Sequence, residues 1–166
     1  MKFSHCKVYL SASISGHKDG NYVNVPQLVD YIMEDGGDVL DEHIKGKDLA
    51  EMIAIVQRRT GVNRLEAADP WKVVYEQDMQ WVDEATHMIV FVDGPSHGVG
   101  MELMRGLLKP ELGLPATPIL ILVQENNLNR LSPVVKGIPA DKHPVQIETY
   151  QDFNHVKQLV DSFLQQ

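Results

Sequence analysis

The sequence predicts an α/β fold in which five parallel strands, in the order 2-1-3-4-5, are doubly wound with helices on both faces. Strand-like and helix-like segments alternate along the chain, and several of the strands, such as HMIVFV and ILILV, are unbroken apolar runs. Such runs suit strands covered on both sides rather than one. The turns after the first and third strands, SISGHKDG and GPSHGVG, are rich in glycine and serine. In this topology those two turns face each other where the winding reverses, and there a ligand is expected.

The elements follow in order. CKVYLSAS, from Cys6 to Ser13, reads as the first strand, broken by Ser15, Gly16 and Gly20. A helix is expected from about Val25, with Pro26 in its first turn, Leu28, Val29, Ile32 and Met33 at helical spacing, and Gly36 and Gly37 ending it. A short strand from about Asp38 to Glu42 precedes Asp48, which is placed to cap the helix LAEMIAIVQRRT before Gly61. Asp69 and Pro70 open a further helix that runs to about Ala85.

HMIVFVDG is the third strand, ended by Gly94 and Pro95. The helix carrying SHGVGMELMRG follows, then the strand TPILILVQ, an irregular or helical NNLNRLSPVVKGI, a fifth strand near PVQIETY, and a last helix from about Asp152. The last helix carries a stripe of Phe153, Val156, Leu159, Val160, Phe163 and Leu164. Five strands in this rhythm make the fold flavodoxin-like. With 166 residues, 43% of them hydrophobic, the chain supports one core, so residues 1–166 are expected to form a single domain.

Charge narrows the partners. A formal net charge of -8 with no basic run gives no general electrostatic reason to bind nucleic acid or an anionic membrane. Cys6 is the lone cysteine, so an intramolecular disulfide is excluded. The start MKFSHCKVYL lacks a signal-peptide pattern and no apolar run reaches transmembrane length, which makes the cytoplasm the expected location.

The two glycine and serine turns could turn backbone N–H groups toward a phosphate or carboxylate, with Ser13, Ser15 and Gly16 in one and Ser96, Gly98 and Gly100 in the other. The pair Gly98 and Gly100 is not a dinucleotide fingerprint, because Leu103 stands where the third glycine belongs and the motif follows the third strand. No histidine pair has metal-binding spacing, so no metal is expected.

Two carboxylates stand out. Glu102 is expected in the first turn of its helix, where the macrodipole favours a negative charge, at the edge of the ligand crevice. Asp78 shares a helix face with Val74, Trp81 and Ala85 and so interrupts an apolar stripe. Such a group is paired, protonated or at the rim of a cavity, and shielding from water raises its pKa toward that of a general acid. His43, in Asp41-Glu42-His43, lies where it could touch a ligand from the side.

Four segments, VYLSASISG, LDEHI, YEQDMQWVDEAT and GPSHGVGMELMRG, with RLSPVVKG beyond them, together resemble the nucleoside 2-deoxyribosyltransferase superfamily. The similarity is greatest to its 2'-deoxynucleoside 5'-monophosphate N-hydrolase branch. The resemblance implies a homodimer that cleaves the N-glycosidic bond of a nucleotide without metal or organic cofactor. It implies Glu102 as nucleophile, in the pattern G-x-G-x-E-L, Asp78 as the acid for the departing base, Tyr9 beside the sugar, and His43 beside the base.

The resemblance further implies phosphate contacts from Ser13, Ile14, Ser15 and Gly16, from Ser96 with Gly98 and Gly100, and from Ser132 of the neighbouring subunit. Two positions depart from the family loop: Ala12 replaces its first glycine and Ser15 its arginine, which removes a charged phosphate ligand. His17, Lys18 and Lys136 are the nearby groups that could substitute. The base pocket is expected between Asp48 and Asp69 and from the dimer partner. Base exchange by a transferase, a ribonucleotide substrate, and nucleotide binding without turnover are the alternative readings.

Overall fold

The computed structural model describes residues 1–13 and 24–166. Ile14, Ser15 and Gly16 of the expected phosphate loop, with His17 and Lys18, lie outside the described residues. Strands β1 (Lys7–Ser11), β2 (Asp38–Val39), β3 (His87–Phe91), β4 (Ile119–Gln124) and β5 (Val145–Tyr150) form one sheet in the order β2-β1-β3-β4-β5. Every pairing is parallel.

The helices are α1 (Val25–Glu34), α2 (Leu49–Thr60), α3 (Pro70–Glu84), α4 (His97–Leu108), the single turn α5 (Pro133–Lys136) and α6 (Phe153–Leu164). Their starts follow side-chain chemistry. Asn24, Asp48, Asp69, Ser96 and Asp152 each accept a hydrogen bond from a backbone N–H three residues on. Gly61 closes α2 with φ +76°, which a residue bearing a side chain adopts only at a cost.

The sheet separates two apolar layers, because alternate strand residues point to opposite faces. Val8, Leu10, Ile89, Phe91, Leu120 and Leu122 pack against α1 and α6 through Leu28, Ile32, Val156, Val160 and Phe163. Tyr9, Met88, Val90, Ile119 and Ile121 pack against α3 and α4 through Trp81, Val82, Val99 and Leu103. Gly106 lets α4 approach the sheet closely, since a Cβ there would stand 2.8 Å from Met88 Sδ and 3.3 Å from Ile119 Cδ1.

Two expectations need correction. The second strand stops at Val39, not near Glu42, and Glu42–Lys45 form a 3₁₀ turn. The buried Asp41 carboxylate accepts the Leu10 N–H at 2.9 Å, so a side chain replaces the backbone partner that a longer strand would have supplied. Glu102 does not occupy a first helical turn. Ser96 caps α4, His97 begins it, and the first turn holds no acidic residue. The glycine pair is therefore helical too, and Gly100 donates its N–H to Ser96 O at 3.2 Å.

Candidate active site

Tyr9 and Ser11 are two positions apart on β1, so both side chains leave the sheet on the face that α4 covers. There the Ser11 hydroxyl donates to Glu102 Oε2. The Tyr9 hydroxyl also hydrogen-bonds the Glu102 carboxylate. Burial, reinforced by the negative charges of Glu102, Asp41 and Asp78, holds the Tyr9 phenol well above its usual range. Tyr9 thus stays protonated and serves as a donor.

Burial pushes the Glu102 carboxyl above its ordinary value, and the hydrogen bonds from Ser11 and Tyr9 pull it back. Hydrogen bonding, rather than the first-turn position expected from the sequence, is what favours its ionised form. Gly98 borders Oε1: a Cβ at that position would stand in van der Waals contact with it at 3.7 Å, and the glycine leaves that spot unfilled.

Asp78 comes from α3, which is tied to α4 by a two-point pairing of Arg105 with Asp83. Nε reaches Oδ1 at 2.8 Å and the terminal nitrogen reaches Oδ2 at 2.6 Å. Burial, with a contribution from the Glu102 charge, pushes the Asp78 carboxyl up to about 7, while the Arg64 guanidinium opposes the shift. A carboxyl poised there can hold a proton near neutrality and give it up.

Asp78, Ser13, His43, Arg64 and Trp81 line one cavity of about 890 Å³. Leu49, Met52, Ile53 and Val56 of α2 add an apolar wall. The His43 imidazole lies beside the Trp81 indole, with ring centroids 5.5 Å apart and planes tilted by 30°. Burial, then the Arg64 charge, lowers the His43 pKa to about 4, which keeps the ring neutral. Its Nδ1 is buried without a hydrogen-bond partner among the described residues.

Comparison with known proteins adds sequence relatives to this geometry. No protein-family model matches the chain. A putative 2'-deoxynucleoside 5'-phosphate N-hydrolase 1 of Thermofilum pendens is 27% identical over 95% of this chain and 94% of its own length. The 5-hydroxymethyl-dUMP N-hydrolase of Rattus norvegicus is 29% identical over 96% of this chain and 85% of its own. The chain is a relative of these N-hydrolases.

Among solved structures, the CMP N-glycosidase of Clostridium botulinum superposes with a TM-score of 0.60, covering 95% of this chain and 98% of that one at 17% identity, a likeness of fold. The sheet order common to flavodoxin-like proteins is thus accompanied, in this relative of the N-hydrolases, by two carboxylates on adjacent helices.

The other residues expected from the sequence divide between two places. Ser13 and His43 line the cavity with Asp78. Ser96, Gly100 and Ser132 line a second cavity of about 760 Å³, with Leu103, Met104, Val134 and Val135 in its walls. Gly98 lies between, beside Glu102. Ser132 is exposed and caps α5, its Oγ accepting the Val134 N–H at 3.3 Å.

Sequence reasoning missed Ser11 and Arg64. Ser11 had a readable signal, its separation of two residues from Tyr9 on a strand. Arg64 lay within the Asp48 to Asp69 segment expected to hold the base pocket but was not singled out, because it sits in a 3₁₀ turn, Arg64–Glu66, between helices whose relative placement fixes where it points. Among the described residues no cluster of three or more His, Cys, Asp or Glu could hold a metal ion. No described helix is long and apolar enough to cross a membrane.

Proposed function

We propose that this protein hydrolyses the N-glycosidic bond of (2'-deoxy)nucleoside 5'-monophosphates, releasing free base and (deoxy)ribose 5-phosphate. The observation that carries the reading is the pairing of unlike carboxylates. Glu102 accepts hydrogen bonds from Ser11 and Tyr9, while Asp78 is raised to about 7 beside a cavity. Burial raises both carboxyl groups, but only Glu102 has hydrogen bonds that favour its ionised form, and one ionised with one protonated carboxyl is what a retaining glycosidase needs. The names of the relatives, N-hydrolases of deoxynucleotides, support the substrate class.

Glu102 attacks C1' of the sugar as the C1'–N bond breaks. The bonding electron pair leaves with the base, and the proton of Asp78 neutralises it. The glycosyl-glutamate ester then yields to water, whose oxygen bonds C1' while its proton passes to the Asp78 carboxylate and Glu102 departs as a carboxylate. Tyr9 and Ser11 orient the nucleophile. His43 flanks the base, and Ser13, with Ile14, Ser15 and Gly16, takes the phosphate.

We further propose that the chain is one domain and works as a homodimer in the cytoplasm, with Ser132 of one subunit completing the phosphate site of the other beside Ser96, Gly98 and Gly100. Exposed Met101, Met104 and Val134 near the second cavity supply an apolar surface for such a contact.

The test is chromatography of reactions with a panel of deoxy- and ribonucleoside 5'-monophosphates and free nucleosides, with and without a second base, using wild type and Glu102→Ala. Free base from a monophosphate, lost in the variant, is expected. Product carrying the second base would reassign the protein to base exchange. Binding without turnover in both proteins would overturn catalysis.

A further inference from the structure

A charged group in the cavity has no hydrogen-bond or ion-pair partner among the described residues. Arg64 lines the cavity within electrostatic reach of Asp78 and His43, yet no hydrogen bond or salt bridge holds its guanidinium there. The lining beside it is mixed: Ile53, Val56, Val74 and Trp81 are apolar or aromatic, and Gln77 and Asp78 are polar. A polar group left unmatched in such a pocket selects the ligand that matches it, because a mismatched one leaves it desolvated and unpaired.

We propose that Arg64 reads the base, donating to a carbonyl oxygen, so that the site prefers oxo-bases over their amino counterparts. This rests on the nucleotide hydrolase reading. Guanidinium is donor-only and has no use for an amino group. Uracil, thymine, hypoxanthine and guanine each present a C=O beside a ring N–H. Cytosine and adenine present an amino group beside a ring acceptor, the reverse pattern, and would place donor against donor at Arg64.

The same contact serves departure. As the C1'–N bond breaks, an oxo-base spreads the incoming electron pair onto its carbonyl oxygen, and a cation hydrogen-bonded to that oxygen stabilises the charge until Asp78 delivers its proton.

The experiment compares dUMP with dCMP and dIMP with dAMP, pairs that exchange one oxygen for an amino group, in wild type, Arg64→Met and Arg64→Lys. Circular dichroism establishes that each variant is folded. Wild type should favour the oxo member in kcat/KM by about tenfold or more. Arg64→Met should lower the oxo substrates relative to the amino ones and bring both ratios near one, and Arg64→Lys should retain part of the preference. An unchanged ratio in Arg64→Met, or a wild type that prefers the amino members, overturns the proposal.

Equilibrium dialysis of the same four nucleotides against Glu102→Gln, with and without Arg64→Met, separates this inference from the hydrolase reading. Discrimination in Kd that depends on Arg64, without turnover by wild type, upholds the base assignment and refutes hydrolysis. Turnover with no dependence on Arg64 does the reverse. Absence of both turnover and binding refutes both.

Discussion

Ser11 and Glu102, 91 positions apart in the chain, meet in a single hydrogen bond from the serine hydroxyl to Oε2. That bond joins the end of the first strand to the helix after the third, across the sheet's change of winding direction. It orients the carboxylate and lowers its pKa against the effect of burial.

Removing the bond therefore has a signed consequence. Ser11→Ala should raise the Glu102 pKa, and because the carboxylate is the attacking form in the proposed mechanism, activity should be lost at a higher pH as the solution is acidified. The expected fall in kcat/KM is about ten- to hundredfold, the range for losing a hydrogen bond to a charged group. Tyr9→Phe should shift the acid limb in the same direction. A pH–rate profile checks both, and an unmoved acid limb would reduce Ser11 to a structural contact.

Asp78 governs the other limb. In the proposed mechanism it acts protonated, and with a pKa of about 7 the rate should then fall as pH rises through that value. Arg64→Met removes a positive charge that lowers this pKa, so the alkaline limb should move to higher pH. Asp78→Asn should abolish the limb and slow the reaction least for substrates whose base departs readily without a proton.

The same group sets a trade against stability. The folded-state pKa of Asp78 is raised from 3.8 to about 7, so the folded chain holds the proton more tightly and loses stability as pH rises across that interval. Asp78→Asn should consequently raise the melting temperature at pH 8, by about 2–4 °C for each kcal/mol regained, and the gain should vanish near pH 4. Calorimetry at the two pH values reads the difference directly.

His43 carries the opposite sign. Its pKa falls from 6.5 to about 4 on folding, so its contribution to stability is lost as pH drops through that window. Nitrogen-edited NMR should find the imidazole neutral at pH 5.5, where an unperturbed histidine is mostly charged. Trp81→Ala, which removes the indole beside it, should admit water and move the titration upward.

Lys109 offers a prediction away from the chemistry. Only 1% exposed, it donates to Val82 O at 3.1 Å, Ala85 O at 2.8 Å and Thr117 Oγ1 at 2.5 Å, which ties off the carboxyl end of α3. Lys109→Ala leaves Val82 O and Thr117 Oγ1 buried without the ammonium donor, while Ala85 O keeps the Thr117 hydroxyl, and should cost about 3 kcal/mol in urea unfolding. An effect within about 0.5 kcal/mol would mean that water satisfies them.

The sequence by itself determined the strand order, the helix starts at Asp48 and Asp69 and the apolar stripe of the last helix, and it singled out Glu102 and Asp78 as carboxylates to examine. These are local signals: capping chemistry, periodicity, and a charge where a stripe calls for an apolar residue. It misjudged how Glu102 is held, since a helix's first residue depends on which serine or aspartate caps it, and Ser96 set the start at His97, five residues upstream of the glutamate.

Tertiary structure alone decided that Ser11 would bond Glu102, that Asp41 would end the second strand by accepting the Leu10 N–H, and that Arg64 would reach the cavity of Asp78 and His43. Each joins residues from separate elements. Their meeting depends on how closely helices pack on the sheet, as at Gly106, and on burial that raises one carboxyl while paired hydroxyls restrain another. Spacing along the chain records which side chains share a face, but the distance between two faces is fixed only when the layers pack.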